Sequence, residues 1–96
     1  MRLLPWTSPD GKPCYLSTDN PRSLLSRLAD DIEAAHLRSA AQVLEGSRAV
    51  LADAKAGERA VRFALTRAAE SLEDVLRVAV SRGARLDAET VTGTRQ

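Results

Sequence analysis

Residues 61–79 read VRFALTRAAESLEDVLRVA. Within this stretch Val61, Leu65, Ala68, Leu72, Val75 and Ala79 recur at alternating spacings of four and three residues. At 3.6 residues per turn these positions share one face, so the pattern predicts an amphipathic helix with a coiled-coil-like seam. The stretch holds no proline or glycine, and its Ala, Leu, Arg and Glu favour helix. Glu58/Arg62 and Glu73/Arg77 are i,i+4 pairs in the favourable order. Asp53 is placed to cap the start of this helix, and Gly57 to soften its first turn. Gly83 sits where a C-terminal glycine belongs, with Arg82 at the negative end of the dipole. The helix is therefore expected over about residues 54–82.

Upstream, Asn20-Pro21 reads as an N-cap followed by proline at the first helical position. From there to Ala52 the only glycine is Gly46. A first helix over about residues 21–52 follows, ~45 Å long at 1.5 Å per residue. Its stripe is Leu25, Leu28, Ile32, Ala35, Ser39, Val43, Gly46 and Val50. If the chain folds back at residues 55–56, Val50 meets Val61, Gly46 meets Leu65, Val43 meets Ala68, Ser39 meets Leu72 and Ile32 meets Ala79. Large side chains then face small ones, which lets two helices interdigitate. The expectation is an antiparallel αα-hairpin.

One seam does not use all the apolar surface. Leu37, Leu44 and Leu51 recur every seven residues, on the order of 100–120° around from the first helix's main stripe. Leu76, Ala69, Val78 and Val80 flank the seam of the second helix. Helices apolar over so wide an arc need more than one neighbour. A second copy of the chain would supply it, giving a dimeric four-helix bundle with two-fold symmetry. Leu37, Leu44 and Leu51 are the self-association candidates.

The first twenty residues differ in character. Ser8-Pro9-Asp10-Gly11 is a turn signal, with proline and aspartate at the centre and glycine in the following left-handed position. Leu3-Leu4-Pro5-Trp6 and Cys14-Tyr15-Leu16 flank it, so residues 1–20 are expected to form a β-hairpin arm. Pro5 and Pro13 each remove a ladder donor. A lone two-stranded hairpin is marginal in water, so this one is expected to lean on the helices through Trp6 or Tyr15. Residues 87–96 are polar, contain Gly93 and read as a disordered tail. The fold class is thus mainly α: a hairpin arm over 1–20, a helical hairpin over 21–86 and a tail.

Composition narrows the function. The chain has 96 residues, a formal net charge of +1 and three aromatics, Trp6, Tyr15 and Phe63. A near-neutral chain draws nucleic acid or anionic lipid weakly. Lys55, Arg59, Arg62 and Arg77 are interleaved with Glu58, Glu70, Glu73 and Asp74, the mixture of a solvated helix face. Asp30, Asp31 and Glu33 likewise read as a solvated face. Cys14 is the single cysteine, which excludes an intrachain disulfide and points to a reducing, cytoplasmic setting. No apolar run is long enough for a membrane span, and the apolar start at Met1–Trp6 is too short for a signal peptide.

Phosphate-binding glycine loops, zinc-protease helices and nucleophile elbows are missing. His36, the single histidine, reads as a structural residue at a helix interface, and Cys14 as a small buried hydrophobe. No catalytic, cofactor or metal residues are assigned, and an enzyme is not expected. The functional expectation is a protein–protein interaction module, an accessory or regulatory factor acting through a partner protein. Trp6, Tyr15 and Phe63 are the candidates for outside contacts, with Phe63 expected to be covered by the β-hairpin or a partner subunit. The rival readings are a nucleic-acid-binding regulator and a small-ligand sensor with a pocket between hairpin and bundle.

Overall fold

A computed structural model describes the backbone of residues 1–17 and 22–94, and side chains through residue 87. The element order is β1 (Arg2–Thr7), β2 (Pro13–Leu16), α1 (Leu24–Ala52) and α2 (Glu58–Thr94). It is mainly helical, with an antiparallel two-stranded hairpin at the N-terminus.

The β-turn forms as its residues dictate. Gly11 N donates to Ser8 O at 2.8 Å and Ser8 N to Lys12 O at 2.9 Å. Gly11 takes a φ of 82°, the left-handed conformation that glycine adopts without steric cost. The Ser8 hydroxyl donates to the Asp10 carboxylate and holds its pKa below the ordinary value. Arg2 pairs with Leu16 and Leu3 with Tyr15, but the next pair is Thr7 with Pro13, so four steps on β1 face two on β2. Pro5, which has no N–H to give, lies inside this irregular stretch.

Ser23 caps α1, its Oγ accepting from Ser26 N at 3.1 Å. The helix expected from residue 21 therefore starts at Leu24, with Arg22 in a turn; the expected cap at Asn20-Pro21 lies outside the described residues. The other end corrects a second expectation. Asp53 closes α1 and does not open α2: its N–H donates to Val50 O at 3.2 Å, and its carboxylate accepts from Lys55 N at 2.9 Å. The first bond of α2 runs from Val61 N to Gly57 O at 3.1 Å, so that helix begins at Glu58, not at 54.

Gly83 does not stop α2, which continues to Thr94 through most of the expected tail; residues 95–96 lie outside the described residues. One glycine costs a helix interior only ~1 kcal/mol. Ala84, Arg85 and Leu86 beyond it are good helix formers.

Among the described residues the buried ones are Leu4, Pro5, Ser26, Ala29, Glu33, Val78 and Ser81. All lie at the open end of the helical hairpin, where β1 packs against α2 and the start of α1. The arm leans through Leu4 and Pro5; Tyr15 is exposed and Trp6 only half-buried, contrary to expectation.

At the centre is Glu33, 1% exposed and not on a solvated face with Asp30 and Asp31 as its neighbours suggested. Its Oε1 accepts from Arg82 Nε at 3.4 Å and Arg85 Nη2 at 3.3 Å, and Arg2 Nη2 lies 3.3 Å from Oε2. Arg2 also donates to Ser26 O at 3.1 Å and pairs with Asp30 at 2.7 Å. Arg85 donates to Ser81 Oγ at 2.5 Å, and Ser81 Oγ donates to Leu3 O at 3.0 Å. One polar network thus joins β1, α1 and α2.

Two expected outcomes follow from this arrangement. Glu33→Ala leaves the largely buried Arg2 guanidinium without its central partner and should destabilise the fold by about 3 kcal/mol in urea unfolding. Arg82→Ala, removing a half-exposed partner, should cost less than about 1 kcal/mol. A Cβ on Gly83 meets nothing within 4 Å. Gly83→Ala should therefore stabilise by about 0.5–1 kcal/mol, whereas a helix-stopping glycine would make the same change destabilising.

Candidate interaction surface

Beyond the open end, the two helices meet through small side chains. Ala40, Val43, Ser47 and Val50 of α1 and Ala64, Ala68, Ser71 and Val75 of α2 are half-buried along the seam. The expected α2 stripe is only partly there. Ala68 and Val75 face α1, but Val61, Leu65, Leu72 and Ala79 are exposed, Leu65 at 68% and Leu72 at 59%. On α1, Ile32, Val43 and Val50 of the expected stripe are half-buried, while Leu25, Leu28, Ala35, Ser39 and Gly46 are exposed. Val43 and Ala68, expected to meet, do line one groove. That groove runs over residues 40–47 of α1 and 68–75 of α2, which in an antiparallel pair brings Leu44 near the level of Leu72, about one helical turn from the register expected, and α2 is rolled by roughly 50° about its own axis.

The Glu33 network accounts for the roll. Val78 and Ser81 are buried and Arg85 is half-buried, all turned toward β1 and α1. On a helix that orientation swings Leu65 and Leu72 out of the seam. The small residues that replace them let the backbones approach closely, as leucines would not.

The displaced leucines gather on one face. Leu44 and Leu72 line a groove with Ala40, Ser47, Ala68 and Ser71. Leu37 and Leu51, seven residues to either side of Leu44, and Leu65, seven before Leu72, extend this face along both helices. Leu44 is 51% and Leu51 81% exposed. Leu76 and Val80 continue the apolar surface at its edge, also exposed. The three residues proposed from sequence for self-association thus share an unpartnered face with leucines that had been assigned to the seam.

The molecule is correspondingly extended. Its dimensions are 59 × 32 × 19 Å and its radius of gyration is 17.1 Å, against about 12.5 Å for a compact chain of this length. Its accessible surface of 7430 Å² exceeds by about 2000 Å² the ~5400 Å² of an average folded monomer of this mass.

The opposite side carries a second groove, lined in part by Ser39, Gln42, Gly46, Phe63 and Arg67. Phe63 is 68% exposed, and the β-hairpin expected to cover it packs at the far end of the molecule. Trp6 and Tyr15 lie on that distant arm, so the three aromatics do not form one surface. The charges of this flank pair along α2: Arg62 with Glu58 at 3.6 Å, Arg67 with Glu70 at 2.9 Å, and Arg77 with Glu73 at 3.7 Å and Asp74 at 3.6 Å.

His36 is half-buried on α1, its Nδ1 buried without a hydrogen-bond partner among the described residues. The Cys14 thiol is free and half-buried on β2. Among the described residues no group of three His, Cys, Asp or Glu side chains could hold a metal ion. No helix described is long and apolar enough to cross a membrane.

Sequence reasoning missed the role of Glu33, although a signal was present. Ser26, Ala29, Glu33 and Ala40 follow helical spacing, so this acid sits in a row of small residues. Arg82 and Arg85, three apart on α2, answer it.

The seam predicts that Ala64→Leu, a change outside the originally expected stripe, overpacks the interface and costs about 1–3 kcal/mol in urea unfolding. An unchanged midpoint would mean that α2 is not rolled as described. Compared with models of known protein families, with curated proteins and with solved structures, the chain shows no match.

Proposed function

We propose that this chain is a non-enzymatic protein–protein interaction module, an accessory or regulatory factor that acts through a partner protein. The observation that supports this reading is the leucine face. Leu37, Leu44 and Leu51 on α1 and Leu65 and Leu72 on α2 are exposed on a chain of only 96 residues. Such contiguous apolar patches mark association sites on proteins that are otherwise polar outside. The first assembly this reading implies is a homodimer in which two helical hairpins lay their leucine faces together as a four-helix bundle. Trp6, Tyr15 and Phe63 remain outside that face and are the candidate contacts for other proteins. A reducing, cytoplasmic setting suits the free thiol of Cys14.

The test is a mass measurement. At micromolar concentration the chain of 10.4 kDa should sediment at about twice that mass. Leu44→Glu should return it to the monomer mass while the helical circular dichroism persists, because Leu44 lies outside the intrachain seam. A variant with unchanged mass and unchanged melting would remove the leucine face from consideration.

A further inference from the structure

Taking the leucine face as the working surface, we infer that two copies of this chain pair about a two-fold axis running across the helices at the level of Leu44 and Leu72. In this arrangement α1 lies antiparallel on the partner's α1, and α2 on the partner's α2.

The exposed leucines argue for a second copy: Leu44, Leu51, Leu65 and Leu72 each keep half or more of their surface in water. The buried residues all lie at the open end, so among the described residues the distal half of the hairpin has no fully buried side chain. A second copy brings the same deficit, and face-to-face pairing relieves both at once.

The sequence spacing locates the axis. Leu37 and Leu51 lie seven residues to either side of Leu44, and Leu65 and Ala79 seven to either side of Leu72. A two-fold across the helices at this level lays Leu37 over Leu51 of the second copy. It also sets Leu65 against Ala79, a large side chain against a small one.

Charge selects this axis over one running along the helices, which would also overlap the leucines. Residues 48–62 at the turn end carry Arg48, Lys55, Arg59 and Arg62 against Asp53 and Glu58, a net charge of +2. An axis along the helices would set two such ends side by side, within a Debye length. The axis across them places these ends at opposite ends of the bundle.

Cross-linking in a Cys14→Ser background tests the geometry. Leu44→Cys and Leu72→Cys each place their two copies at the axis and should form disulfide-linked dimers under mild oxidation, seen on a non-reducing gel. Leu51→Cys lies about 10.5 Å from the axis level along the helix, so its two copies are about 21 Å apart, and it should stay uncross-linked. The two on-axis variants sit on different helices, so misfolding of one, read by circular dichroism, leaves the other as the test. A wild-type dimer whose Leu44→Cys and Leu72→Cys variants cross-link only when mixed, or whose Leu51→Cys variant cross-links, overturns the axis and leaves the leucine face as the working surface. A wild-type chain that sediments as a monomer at tens of micromolar, unaltered by Leu44→Glu, overturns both.

Discussion

Taking the Glu33 carboxylate out of water costs several kcal/mol unless cations and donors surround it. Here they come from other parts of the chain: Arg2 from the first strand, Arg82 and Arg85 from the second half of α2. The buried charge can be satisfied only where β1, α1 and α2 meet, so one group constrains the relative placement of all three. A two-stranded arm that would be marginal alone gains a fixed seat. Leu4 and Pro5 become buried beside it, and the backbone of Leu3 is held through Ser81.

The same constraint reaches the far end of the molecule. With Val78, Ser81 and Arg85 turned inward, α2 has no remaining freedom of rotation about its axis. Ala64, Ala68 and Ser71 then face α1, and Leu65 and Leu72 do not. A polar network at the open end thereby determines which apolar side chains are left exposed tens of ångströms away. The close approach allowed by small residues holds the distal helices side by side, but small side chains bury little area. The leucines that could bury more are outside. The distal half therefore leaves its larger side chains in water, which is the feature that supports the proposed pairing.

Much of the fold was legible in the sequence because its signals are local. The Ser8–Gly11 turn follows from proline, aspartate and glycine at fixed offsets, and the two helices from unbroken runs of strong helix formers. The end of α1 at Ala52 and the apolar surplus carried by Leu37, Leu44 and Leu51 were also readable. Less legible were the helix ends that depend on competition between weak signals. Asp53 could serve either helix, and the ~1 kcal/mol penalty of Gly83 is overridden by its neighbours. Glu33 was misjudged for a different reason: burial of a charge depends on arginines 31 residues before it and about 50 after it, and no local pattern joins them.

The sequence by itself determined the element types and the antiparallel hairpin, because helical periodicity and turn chemistry act over a few residues. The rotation of α2 was decided only in the tertiary structure. Two apolar stripes on that helix, one of leucines and one of alanines and serines, are both compatible with helical spacing. The choice between them belongs to Glu33 and its arginines, whose separation in sequence is closed only when the chain has folded.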